Sequence, residues 1–178
     1  MFSRHDVVDN PVVRPQFPMS HADHLKRLVV ERELAIDDFS YTPVDTWASA
    51  ELATDNPHPL AYDLFDRDCD VFATLKRIAD ERYGFLPCSA DADAIIGQIA
   101  YDYLTRFVER QLSPLQICQF VAQIDAHYID RVPNDYPTPA WVATLYNSCD
   151  WCDDSWTHGN MPHLVEDVRA VLQKLNQP

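Results

Sequence analysis

Gly84, Gly97 and Gly159 are the only glycines in this chain, against 13 prolines. Sheets use glycine wherever a hairpin or bulge takes the backbone to positive φ. Helix interiors have no such need. Proline suits a helix's first turn, because the N–H it lacks would have found no partner there. Few glycines and many prolines therefore point to helices joined by stiff corners.

The hydrophobic periodicity agrees. Residues 1–19 show none, and Pro11, Pro15 and Pro18 favour extended backbone, so this segment reads as a flexible tail ahead of a single α-helical domain over 20–178. Ser20 is placed to cap a helix from about His21 to Ala35, with Leu25, Leu28 and Val29 on one face. Thr42 as cap and Pro43 as first helical residue open a short helix carrying Trp47 and Leu52. From Pro59 to Tyr83, the residues Leu64, Phe65, Cys69, Phe72, Leu75 and Ile78 follow helical spacing, with Gly84 placed for a C-terminal cap. Asp91 or Asp93 opens the clearest amphipathic stretch, whose stripe is Ile95, Ile96, Ile99, Tyr103, Phe107 and Val108. Ser113-Pro114 starts the next helix, to about Asp130, with Ile117, Phe120, Val121, Ile124 and Tyr128 inward. Val132 to Thr138 reads as a loop. Thr138-Pro139 then opens a helix with Trp141 and Leu145, and Asn160-Met161-Pro162 opens the last, with Leu164, Val165, Val168, Leu172 and Leu175. No strand pattern competes. The expected fold class is all-α, a single bundle of about six or seven mostly antiparallel helices.

Charge narrows the partners. With 28 acidic and 14 basic residues the chain carries a formal net charge of -14. Such a surface repels nucleic acid and anionic membranes. It attracts basic proteins and speeds their encounter. The first 20 residues lack the apolar run of a secretion signal, and no stretch approaches the ~20 apolar residues of a membrane span. The five cysteines (Cys69, Cys88, Cys118, Cys149 and Cys152) are odd in number and lack the spacing of a disulfide framework. They fit a reducing cytoplasm.

Candidate chemistry gathers between Tyr146 and Leu164, in the segment YNSCDWCDDSWTHGNMPHL. Cys149, Cys152, His158 and His163 are residue types that zinc prefers. Their spacing is too short and irregular for a zinc finger, and the plainer reading makes Cys149 a small buried hydrophobe and His158 a hydrogen-bonding loop residue. Cys149-Asp150-Trp151-Cys152 has the form of a redox motif. It follows a helix rather than preceding one, so the helix dipole would raise its thiol pKa instead of lowering it. Asp150, Asp153 and Asp154 lack the rhythm of a calcium loop. With no phosphate loop, nucleophile elbow or glycine-rich cradle, no cofactor is expected.

The remaining reading is a protein-binding patch. Trp151 and Trp156 flank Asp153 and Asp154. Asp130, Asp135 and Tyr136 extend the patch if the two loops meet. The plainer alternative turns both tryptophans inward as loop anchors.

From about Ile99 to Leu175 the order of elements resembles small helical immunity proteins of bacterial toxins, of the colicin D immunity-like type. The similar features are a helix ending Phe107-Val108-Glu109-Arg110, the turn Leu112-Ser113-Pro114, the helix Ile117 to Tyr128, the acidic loop Cys149 to Asp154, and the closing helix Leu164 to Leu175. The resemblance implies an acidic cytosolic protein that occludes a basic toxin, often a nuclease. It carries no catalytic residue over to this chain. The expected function is thus non-enzymatic capture of a basic protein. The alternatives are a helical metal-dependent enzyme or zinc-binding protein using Cys149, Cys152, His158 and His163, and a helical adaptor or regulator.

Overall fold

A computed structural model describes residues 19–35, 40–87, 89–127 and 139–176. Among these residues the chain forms seven α-helices, two 3₁₀ turns and no strand: α1 (His21–Glu33), α2 (Tyr41–Leu52), α3 (Val71–Tyr83), α4 (Ala90–Val108), α5 (Pro114–His127), α6 (Ala140–Ser148) and α7 (Pro162–Leu175). The all-α reading is correct. None of the described helices is long and apolar enough to cross a membrane.

Local chemistry sets the helix ends. Ser20 caps α1 as expected, its Oγ accepting from the Asp23 amide. Gly84 closes α3 at φ 60°, in the left-handed region where a side chain would be strained. Pro162 starts α7, and α6 begins one residue after Pro139. Three boundaries differ from the sequence reading. Ser40 caps α2, so Pro43 falls at its third residue, still within the turn whose N–H groups need no helical partner. Ser89, rather than Asp91 or Asp93, caps α4.

The third difference is larger. The helix expected over Pro59–Tyr83 breaks into the 3₁₀ turns Pro59–Ala61 and Asp63–Phe65, then a corner, then α3. Asp66 Oδ1 accepts from the Asp68 amide and Asp70 Oδ1 accepts from the Ala73 amide. Short acidic side chains that hydrogen-bond the nearby backbone compete with helix continuation. Phe65 is consequently exposed, though the stripe had placed it inside.

One hydrophobic cluster runs through every α-helix, and α4 is its spine. Ala92, Ile95, Ile96, Ile99, Ala100, Leu104 and Phe107 are all buried along it. At 100° per residue they cover about half its circumference. One side meets α1, where Arg27 of α1 donates to Asp102 (2.9 Å) as well as to Glu31 (2.7 Å). The other side meets α7. Gly97 lies under Leu175, at the far end of α7, while Phe107 O accepts from His158 Nε2 just ahead of α7 (3.0 Å). The two helices therefore run antiparallel. Helices α1 and α7 therefore pack on opposite sides of α4, an arrangement that the periodicity alone did not reveal.

Ile99 and Ile124 are fully buried, on α4 and α5. Ile99→Ala and Ile124→Ala should each cost about 2–5 kcal/mol, read from urea unfolding midpoints. Losses under about 0.5 kcal/mol at both would contradict this packing.

Candidate functional site

The α6–α7 connection, residues 149–161, carries the exposed acidic and aromatic chemistry. Helix α6 ends at Ser148, and the Cys149 amide still donates to Leu145 O (3.0 Å). The chain then reverses through Trp151 at φ 64°, and the Cys152 amide donates to Cys149 O (3.1 Å), closing the turn. A non-glycine residue in this region is strained by roughly 1–2 kcal/mol. Cys149 and Cys152 both pack against the core. The residues between them are thrown outward, and Trp151 is 87% exposed.

The loop beyond is internally braced. Asp153 Oδ1 accepts from the Ser155 amide (2.8 Å) and the Ser155 hydroxyl (2.5 Å). Those two bonds, the hydroxyl's first, hold the Asp153 carboxyl below the usual carboxylate range. Asn160 Oδ1 accepts from the Thr157 amide (2.6 Å), and Asn160 Nδ2 donates to Ser155 O (3.0 Å). His158 stacks on Phe107 with centroids 4.5 Å apart. Trp156 is half-buried and meets His163 edge-on at 5.7 Å. His163 Nε2 donates to Ser148 O (3.3 Å), and Ser148 Oγ donates to Asp167 Oδ2 (2.5 Å), tying the end of α6 to α7.

The structure divides the expected binding residues. Asp150, Trp151, Asp153 and Asp154 are exposed on one short stretch. Trp156 is a loop anchor instead, so the two tryptophans have opposite roles. Asp130, Asp135 and Tyr136 lie outside the described residues, as does the Val132–Thr138 loop.

The metal alternative loses one of its four ligands. Cys149 is bonded to Cys118 of α5, with Cα atoms 5.2 Å apart. His158 and His163 each use Nε2, donating to Phe107 O and Ser148 O. Of the four proposed ligands the disulfide takes Cys149, and no group of three or more His, Cys, Asp or Glu side chains that could hold a metal occurs among the described residues. The disulfide also corrects the cysteine reading. Pairing across a separation of 31 depends on how α5 and α6 pack, which spacing in sequence does not express. It removes the cysteine argument for a reducing compartment.

The titratable cluster that the sequence reading missed lies elsewhere. Glu51, at the end of α2, is 1% exposed. Its Oε1 accepts from the His58 amide (2.8 Å) and Arg82 (2.5 Å), and its Oε2 accepts from His21 Nε2 (2.7 Å). His58 Nδ1 accepts from the Leu60 amide (3.3 Å) and its Nε2 donates to Glu81 (3.1 Å). Trp47 stacks on the His21 ring at 4.9 Å and donates to His21 O (3.0 Å). Every charge in this cluster is answered, so it clasps α1, α2 and α3 together rather than offering a free group to a ligand. His21 stands 30 residues before Glu51 and Arg82 stands 31 after it, distances at which no motif could have announced them.

No family model, characterised protein or solved structure matches this chain. The resemblance to colicin D immunity-like proteins therefore rests on helix order and acidity alone.

Two expected outcomes test this division of roles. Trp151→Gly should leave folding stability unchanged or raise it by about 1 kcal/mol, because it relieves the positive φ at an exposed site, whereas Trp156→Ala should destabilise. Equal losses in thermal unfolding would refute the assignment. At Glu51, burial pushes the carboxyl up, but the His58 amide, His21 and Arg82 outweigh it and hold the group below its ordinary 4.5. A depressed folded pKa stabilises above the unfolded value and ceases to do so as pH falls through the folded one. The stability advantage of the native chain over Glu51→Gln should therefore be full at pH 7 and shrink below pH 4.5. A difference independent of pH in urea titrations would contradict the clasp. Glu51→Ala, which takes the shared acceptor from Arg82, His21 and the His58 amide, should cost about 1.5–3 kcal/mol.

Proposed function

We propose that this protein is a non-enzymatic binding module that captures a basic protein through the loop at residues 150–154, in the manner of an immunity protein neutralising a toxin or effector. The observation that carries the reading is Trp151: a large aromatic side chain, 87% exposed, held at positive φ with exposed Asp150, Asp153 and Asp154 beside it. Folding gains little from such an arrangement. It leaves apolar surface in water and strains the backbone, and strain of this kind clusters at binding sites. Tryptophan is also the residue most enriched among interface anchors, and surrounding carboxylates select lysine and arginine.

The net charge of -14 adds long-range attraction for the same class of partner. Nuclease-type toxins, whose substrate demands a basic surface, fit it. In this reading the chain works in the cytoplasm, where such a toxin would act. That placement now depends on the binding role, because the cysteines no longer argue for it. Asp150→Asn, Asp153→Asn and Asp154→Asn together preserve side-chain size and remove three charges.

The partner to test first is the product of the adjacent gene, since immunity proteins are encoded beside their toxins. If the carboxylates lie at the interface rim, the triple variant should associate more slowly and with weaker salt dependence. If they are buried against the partner, its dissociation should accelerate, at about 2 kcal/mol or more for each pair broken. Trp151→Ala should cost a comparable amount of affinity. Surface-plasmon kinetics at low and high salt distinguish these outcomes. Affinity that ignores salt, the triple variant and Trp151→Ala would overturn the reading.

A further inference from the structure

Cys149 belongs to two possible sulfur pairs at once. It is bonded to Cys118, and it shares a hydrogen-bonded turn with Cys152, which is a free thiol. Residues at the two ends of such a turn have Cα atoms within about 7 Å. A disulfide needs a Cα separation of about 4.4–6.8 Å. Cys149 and Cys152 are both partly buried against the hydrophobic core, while Trp151 between them is exposed.

We propose that Cys152 is the attacking thiol of an internal disulfide exchange that replaces Cys118–Cys149 with Cys149–Cys152. Cys152 gives its proton to solvent, and the thiolate attacks Cys149 Sγ. The bond between the sulfurs of Cys149 and Cys152 forms as that between Cys149 and Cys118 breaks. The electron pair leaves with Cys118, which takes up a proton. One thiol and one disulfide enter and leave the step, so no oxidant or reductant is consumed.

The exchange moves a covalent tie from one place to another. In the starting state it joins α5 to the end of α6 across 31 positions. In the product it closes only the four-residue turn that presents Trp151, and Cys118 becomes a buried thiol. Burial, and after it the Asp153 carboxylate, push the Cys152 thiol up. The thiolate is the nucleophile, so the exchange runs slowly near neutral pH and accelerates as the thiol ionises. The inference stands on the positions of the three cysteines and is independent of what the loop binds.

The test uses the oxidised full-length chain with no added thiol. Samples held without oxygen at pH 7, 8 and 9 are quenched in acid, alkylated at their free thiols under denaturing conditions, digested with trypsin and mapped by mass spectrometry. Trypsin places Cys118 in the peptide 111–131 and both Cys149 and Cys152 in 132–169. Exchange therefore converts a cross-linked peptide pair into an alkylated 111–131 peptide and an internally bonded 132–169 peptide. The expected result is conversion whose rate climbs about tenfold per pH unit below the thiol pKa. It should be unchanged by tenfold dilution, retained in Cys69→Ser and abolished in Cys152→Ser. The Cys118→Ser chain, checked for folding by circular dichroism, should form Cys149–Cys152 in oxidised glutathione. Absence of the internally bonded peptide from the wild type would overturn the proposal, even if Cys118→Ser forms it. Dependence on dilution or on Cys69 would overturn it equally.

Discussion

Helix α4 must face two ways, and the rest of the bundle follows from that. A surface helix of a globular protein buries one stripe. This one buries about half its circumference, with Ile95, Ile96, Ile99, Leu104 and Phe107 all out of water. Neither α1 nor α7 alone can cover so wide a face, so the chain brings one to each side. The Arg27–Asp102 ion pair ties the first contact and the Phe107–His158 stack ties the second. The candidate binding loop is thus held by the same helix that packs against α1.

The two polar features of the molecule illustrate opposite uses of charge. Around Glu51 a buried carboxylate is satisfied by a guanidinium, an imidazole and an amide that meet it from three directions, an arrangement that rewards one geometry because removing Glu51 leaves all three without that acceptor. Around Trp151 the carboxylates stay in solvent, and Asp153 alone is engaged, by its own loop. The first cluster specifies the fold and the second leaves charge free to act at a distance.

Periodicity and capping chemistry made most helices legible, because Ser20, Gly84 and Pro162 act on their immediate neighbours. Reading failed where two local signals competed. The stripe through Leu64, Phe65 and Phe72 favoured one long helix, and the caps supplied by Asp66 and Asp70 won. Ser40 displaced Thr42 in a similar competition, since both residue types are good caps. In the loop, composition identified the exposed aspartates. It could not tell Trp151 from Trp156, because that depends on which one follows an inward-turned cysteine and which one meets His163. The Cys118–Cys149 bond and the Glu51 clasp join residues about 30 apart, and their partners are defined only once helices are packed.

Trp151 also has an optical consequence. Trp47 is 1% exposed, Trp141 is 9% exposed and Trp156 is half-buried, so a single indole stands fully in water. A collisional quencher dissolved in the buffer reaches that ring long before the other three. The red edge of the emission spectrum therefore belongs almost wholly to one residue. Whatever covers, moves or dehydrates the loop changes the colour and accessibility of that light, and the molecule reports on its own surface without a label.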